Sequence, residues 1–199
     1  MVSEVTVVVP YHLARARSGL LDRALRSAMR QSQRPARVIA KLDVDGAGSA
    51  ATRNAAIEMV KTEWTAFLDS DDELKPLHLG LLLEAAQIHR ADMIYPWFEH
   101  PGRDDPFPGR FRARFAGPLL LHSNYIPVTV LVRTELLRQT GGFQPMLREP
   151  NGSWNDEWGL WCRLYELGAK IEHLPERTWT WHIHGGNTLG NPARGDAKP

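Results

Sequence analysis

Only one cysteine, Cys162, occurs in the 199 residues. An internal disulfide framework is thereby excluded, and the usage fits a reducing compartment, so a cytoplasmic protein is expected. Long hydrophobic runs are missing as well: no stretch approaches the roughly 20 apolar residues of a membrane span. The start, MVSEVTVVVPYH, has an apolar run too short for a secretory h-region and carries Glu4 in front of it. Net charge is close to nil. Lys and Arg number 24 against 23 Asp and Glu, which leaves +1 and no case for nucleic acid or anionic membrane through bulk charge. Neither Walker spacing nor G-x-G-x-x-G is present, so no glycine-rich phosphate loop is expected. Internal repeats and low-complexity blocks are absent. What remains is an ordinary globular mixture, 43% apolar and 24% charged, long enough for one domain with a full core. Seven tryptophans are the compositional oddity, three of them between residues 154 and 161.

Alternation of strand and helix patterns predicts an α/β fold. Val5 to Val9 is a continuous β-branched run, as in a strand buried on both faces of a parallel sheet. Leu20 to Gln31 repeats apolar residues at helical spacing, and Val38 to Leu42 reads as the next strand. Strand, helix and strand within about 40 residues make a right-handed βαβ unit. Ala50 to Val60 is a helix with Arg53 and Asn54 near its start, followed by a strand at Trp64–Leu68 and a helix after Pro76. Met93 to Trp97 is the fourth strand expected. The alternation then breaks at the Pro-, Gly- and Arg-rich residues 101–118, expected to form a loop over the active face. Val128–Val132 and two segments, Lys170–Leu174 and Arg177–His182, are candidate strands, and Glu135–Gln139 and Asp156–Leu167 are helices.

The chain is organised around WTAFLDSDD, residues 64–72. A buried strand is closed by Asp69, Ser70, Asp71 and Asp72. Three carboxylates in one dry place repel one another, but become favourable around a hard divalent cation that takes oxygen ligands. Strand ends also face the crevice where open α/β sheets bind ligands. The plainer reading is that Asp71 and Asp72 cap the next helix, which accounts for one or two of the acids but not three.

Several segments in order resemble the large inverting family-2 glycosyltransferases of the GT-A fold. They are VTVVVPYH, LDRALRSAMRQ, VIAKLDVDG, TRNAAI, WTAFLDSDD, the pair GGF, NDEWGLWCRL and WHIHGGNT, which together run from about residue 5 to 188. The resemblance implies a single nucleotide-diphospho-sugar transferase domain, a mostly parallel twisted sheet with helices on both faces. Residues 1–100 would form its nucleotide-sugar half, 101–188 its acceptor and catalytic half, and 189–199 a flexible tail. Asp69 and Asp71 take the place of the family's D-x-D motif, with Asp71 the metal ligand and Mn2+ or Mg2+ the implied cofactor. Pro10 and Tyr11 would flank the nucleobase, and Asp43 and Asp45 form the acidic turn after the second strand. Val44 stands where that turn usually has its first Asp. Arg53, Asn54 and Asp69 complete the nucleotide-sugar site. The later acidic pair reads Asp156, Glu157, the reverse of the family's usual order; by position Glu157 is the general base, with Asp156 the alternative. His184, or else His182, would complete the metal site. The donor implied is a nucleotide-diphosphate sugar, a UDP-sugar first among them, and the acceptor a carbohydrate or other hydroxyl compound.

Each of these residues has a structural alternative. Asp156 and Glu157 could merely cap a helix. Trp158 and Trp161 share a helical face and so suit a core, although Trp158 also falls in the acceptor region; Trp154, in a glycine loop, is better placed to stack on a sugar. The arginines of residues 110–114 suit a solvated face or a lid. The chemistry itself favours transfer over hydrolysis: a metal-bound diphosphate leaves without a protonated acid, whereas a glycosidase keeps one carboxyl protonated. A sugar nucleotidyltransferase, or a non-catalytic nucleotide- or carbohydrate-binding relative, is the alternative reading.

Overall fold

The computed structural model describes residues 4–144 and 156–183. Its first strand, β1 (Val5–Tyr11), lies between β2 (Arg37–Leu42) and β3 (Trp64–Phe67), parallel to both. Val5, Val7, Val8 and Val9 are fully buried, as a β-branched run covered on both faces requires. The strand runs on through Pro10 to Tyr11, beyond the end expected from the sequence. Its even-numbered residues turn their backbone groups toward β3, as Leu68 N–H donating to the Val8 carbonyl shows. Pro10 therefore faces the side that β3 has already left, where no amide hydrogen is required.

The sheet continues through β6 (Leu131–Arg133), β5 (Met93–Glu99), β7 (Ile171–Thr180) and β4 (Glu73–Leu74), giving the order β2-β1-β3-β6-β5-β7-β4. Pairings of β3 with β6, β6 with β5, and β7 with β4 are antiparallel, so the sheet is mixed; its parallel character belongs to β2-β1-β3 and to β5-β7. The two strand segments expected after residue 170 are one strand. Its register jumps from Leu174 to Arg177 opposite Pro96 and Trp97, passing over Pro175, which has no N–H for the ladder.

Among the helices, α1 (Leu13–Arg17), α2 (Leu20–Met29) and α3 (Ser49–Ile57) precede β3; α4 (His78–His89) follows β4. Then come α5 (Gly117–Leu120), α6 (Thr134–Gln139) and α7 (Asp156–Glu166). Both α2 and α3 pack on β1. Neither α1 nor β4 was legible in the sequence. Phe143 knits α7 to the sheet, its ring edge-on to Phe67 at 5.1 Å and to Trp161 at 6.1 Å.

Residues 100–116, exposed over much of their length, are anchored on β5 and β7 by a few side chains. Asp105 accepts the Trp97 indole N–H at 2.7 Å and the Phe107 amide at 2.8 Å, and Phe107 sits edge-on to Trp97. Arg110 lies over the Tyr125 ring at 4.1 Å, so only Arg112 and Arg114 of the arginine run are exposed. No helix among the described residues is long and apolar enough to cross a membrane.

Candidate active site

The acidic loop begins where β3 stops. Asp69, Asp71 and Asp72 each offer a carboxylate oxygen within 4.8 Å of the others, the one such compact group of potential metal ligands among the described residues. Capping does not account for it. Helix α4 starts at His78 with Leu77 before it, and β4 intervenes, so neither Asp71 nor Asp72 reaches that helix start. Each acid is anchored separately. Asp69 Oδ1 accepts from Arg53 at 2.7 Å, Asp71 Oδ2 pairs with Arg15 at 2.8 Å, and Asp72 Oδ1 accepts the His182 amide at 2.9 Å. Arg23 adds a bond to the Asp71 carbonyl. The fold thus brings Arg15 and Arg23, two arginines of the first helices that no local motif singles out, onto this loop.

Asp72 is only 4% exposed. Its burial, together with Asp69 and Asp71 beside it, pushes its carboxyl well above the usual range. Asp69 is raised as well, by burial and by Asp71 and Asp156, against the pull of Arg53. Crowded, half-hidden oxygens that resist ionisation on their own suit a hard divalent cation, whose charge reverses that cost. The donor set therefore fits the Mg2+ or Mn2+ expected from the sequence, although it does not select between them.

Arg53 links this loop to the second acidic pair. It projects from α3 with 4% exposure, gives one nitrogen to Asp69 and the other to Asp156 at 3.1 Å, and stacks on the Phe143 ring at 5.1 Å. Burial alone would lower its pKa; Asp69, Asp156 and Glu157 outweigh that and raise it, so the guanidinium stays charged. Asp156 also accepts the Ser49 hydroxyl at 2.7 Å. Burial disfavours its charge, but Arg53 and the hydrogen bonds from Glu157 and Ser49 prevail and hold Asp156 below the ordinary carboxylate value. Glu157 moves the other way. Burial, then the hydrogen bond and charge of Asp156, lift it well above that value. Its one other described partner is the Asn124 amide at 3.4 Å. The two neighbouring carboxyls are thus driven apart, Asp156 toward the ionised form and Glu157 toward the protonated one.

Other residues named from the sequence are placed as follows. Asn54 grips the backbone of Phe143, its amide donating to the carbonyl at 2.6 Å and accepting the N–H at 2.8 Å, so both ends of the amide are used in shaping the site. Both Asp43 oxygens turn back on the Ala47 and Gly48 amides and close the turn into α3, while Asp45 is exposed. Pro10 is buried and Tyr11 half-buried at the end of β1, where the Tyr11 carbonyl takes the Asp43 amide. The Trp158 indole N–H is bound to the Leu120 carbonyl at 2.6 Å, which ties it to α5. His182 lies with its ring 3.5 Å from Glu73. Trp154, His184 and the tail 189–199 lie outside the described residues.

Residues 32–151 match the model of glycosyl transferase family 2. The chain belongs to that family. Among solved structures it is similar to S. aureus TarS 1–349 in complex with UDP, with TM-score 0.68 and 18% identity over 92% of this chain and 61% of that one. Another S. aureus TarS structure gives 0.70 and 16% over 92% of this chain and 37% of that one, and TarS 1–349 in complex with UDP-GlcNAc gives 0.67 and 17% over 93% and 60%. These likenesses show a GT-A-type fold. The chain spans about three fifths of the TarS 1–349 structures and 37% of the other TarS chain. No curated protein matches it in sequence.

Proposed function

We propose that this chain transfers a sugar from a nucleoside diphosphate donor to a hydroxyl group, inverting the anomeric carbon, with Glu157 as the general base. The observation that carries this is the Arg53 bridge, which holds Asp69 of the D-x-D loop and Asp156 on opposite nitrogens and so sets Glu157, whose proton affinity burial and Asp156 raise, beside the acidic loop. In the step, the acceptor oxygen attacks the anomeric carbon, its proton passes to Glu157, and the bond from that carbon to the diphosphate oxygen breaks with the electron pair on the diphosphate. A base on the face opposite the leaving group makes inversion the outcome.

Asp71, with Asp69 and Asp72, would hold a divalent cation, which when bound supplies Lewis-acid stabilisation of the diphosphate charge. Arg15 and Arg23, tied to the same loop, keep its acids in place. Tyr11 at the end of β1 and the turn closed by Asp43 would border the nucleobase, and a UDP-sugar is the proposed donor, supported by the TarS structures that contain UDP and UDP-GlcNAc. A single domain working in the cytoplasm belongs to the same reading, supported by the lone free cysteine.

The decisive experiment is the Glu157→Gln variant assayed for donor binding and for transfer. Retained UDP-sugar affinity with transfer lost supports the assignment; normal transfer overturns it.

A further inference from the structure

The first half of the molecule supplies the donor site, but a second concavity lies at the far ends of β5 and β7. It is a cavity of about 400 Å³ whose wall includes Phe98, Glu99, His100, Arg103, Asp105 and Arg177. Its charges are not equivalent. Asp105 spends both oxygens on Trp97 and Phe107, and Glu99 is paired with Lys75. His100 is stacked on Trp181 and bound to the Asp104 carbonyl. Glu99 is therefore charge-paired, and both Asp105 oxygens are turned toward neutral donors of the protein. Arg103 and Arg177, by contrast, are both exposed on the cavity wall, and the Arg177 guanidinium lies over the Phe111 ring, 4.5 Å from its centroid. Two guanidinium groups over an aromatic floor recognise a phosphate or carboxylate in bidentate fashion.

The cavity also adjoins the acidic loop. The Trp181 amide donates to the Glu99 carbonyl at 2.9 Å, and the next amide, His182, donates to Asp72 at 2.9 Å. Two successive amides at the end of β7 thus tie the cavity rim at Glu99 and the acidic loop at Asp72 to the same short stretch of backbone.

We propose that this cavity is an acceptor subsite for an anionic group, with Arg103 and Arg177 gripping a phosphate or carboxylate on the molecule that receives the sugar. The assignment rests on the transferase reading above, and its test separates the two. Glycerol 3-phosphate, glucuronate and glycerol are titrated calorimetrically into the full chain with the donor site filled by UDP, then into Arg103→Gln/Arg177→Gln. Saturable binding of one or both anions, weakened at least tenfold in the double variant and absent for glycerol, supports the subsite and identifies which anion it takes. Anion binding that is equal in both proteins, or absent in both, overturns it.

In the activity arm, KM for an acceptor bearing the bound anion rises at least tenfold in the variant while donor hydrolysis is unchanged. An unchanged KM overturns the acceptor role. If anions bind through the arginines yet no acceptor is ever glycosylated, the anion site stands and the transferase reading fails. Arg103→Gln alone, on an exposed turn, and Arg177→Lys, which keeps the charge, serve if the double variant is poorly folded.

Discussion

Arg53 and Asp156 are 103 residues apart in the chain and 3.1 Å apart across the site. That contact joins the half of the protein built around β1 and β3 to the helix that carries the proposed base. Removing the arginine would leave Asp156 buried without its counter-charge, and breaking one side of a buried pair costs about 3–5 kcal/mol. Arg53→Ala is expected to lower the unfolding free energy by about 3 kcal/mol in urea titrations, and to lower turnover further than that loss explains. Arg53→Lys keeps the charge but cannot reach both acids with a planar fork, so it is expected to retain most stability and lose activity.

The acidic pair should separate in kinetics. Glu157→Gln is expected to reduce kcat by about a hundred- to ten-thousand-fold with little change in donor affinity. Asp156→Asn should weaken the Arg53 and Ser49 bonds, so melting temperature falls as well as rate. Equal stability losses in the two variants would remove the distinction between anchor and base.

For the metal, the expected readout is stability. Mn2+ or Mg2+ at about a hundred times its dissociation constant should stabilise the native protein by about 2.7 kcal/mol, seen as a raised melting temperature. Asp71→Ala/Asp72→Ala should show no such rise. Chelation should stop transfer while leaving the fold intact, because each acid has a protein partner of its own.

A buried histidine gives a pH signature. His78 is fully buried, its Nδ1 within 2.8 Å of the Thr178 hydroxyl, and burial lowers its pKa from 6.5 to about 3. The unfolded chain takes up a proton near pH 6.5, whereas the native one resists until about pH 3. Stability from this group is therefore complete above pH 6.5 and is lost as pH falls through that window, at about 1.4 kcal/mol per pH unit. The raised carboxyls of Asp72 and Glu157 act in the opposite sense as pH falls, so the His78 contribution is read as the difference between the native protein and His78→Gln in urea titrations between pH 7 and pH 4, the native protein losing more stability over that range.

Gly142 is a site where even a methyl group does not fit. Its φ is +69°, and an added Cβ would lie 2.4 Å from the Asn54 side-chain oxygen. Gly142→Ala should cost about 2 kcal/mol and disturb the Asn54 grip on Phe143, detectable as a change in the near-ultraviolet circular dichroism of the Phe67, Phe143 and Trp161 cluster.

Local pattern revealed much of this, and long-range pairing hid the rest. The valines of β1, the apolar run of β3 and the stripe of α7 announced themselves because burial imposes a period on the sequence. The acidic loop was legible because three carboxylates in four residues need a common explanation. The Arg53–Asp156 bridge was not: Arg53 could be placed near the nucleotide, but nothing local says which acid it meets 103 residues later. Arg15 belongs to a five-residue helix too short to show a period, and Arg23 falls on the polar side of α2, so only the packing of α2 against β1 and β4 turns Arg23 toward the loop. Two residues, Glu73 and Leu74, are too short a run to show strand periodicity. That both Asp43 oxygens hold the turn that launches α3 is likewise not announced by local pattern.

The position of β1 has a practical consequence. It ends before residue 32, where the family match begins, and α7 and β7 follow its end at residue 151. A fragment trimmed to those limits would strip β2 of its neighbour, bare one edge each of β3 and β5, and orphan β4. Unpaired sheet margins recruit other chains, so such an excised piece would self-associate long before it could be asked about catalysis.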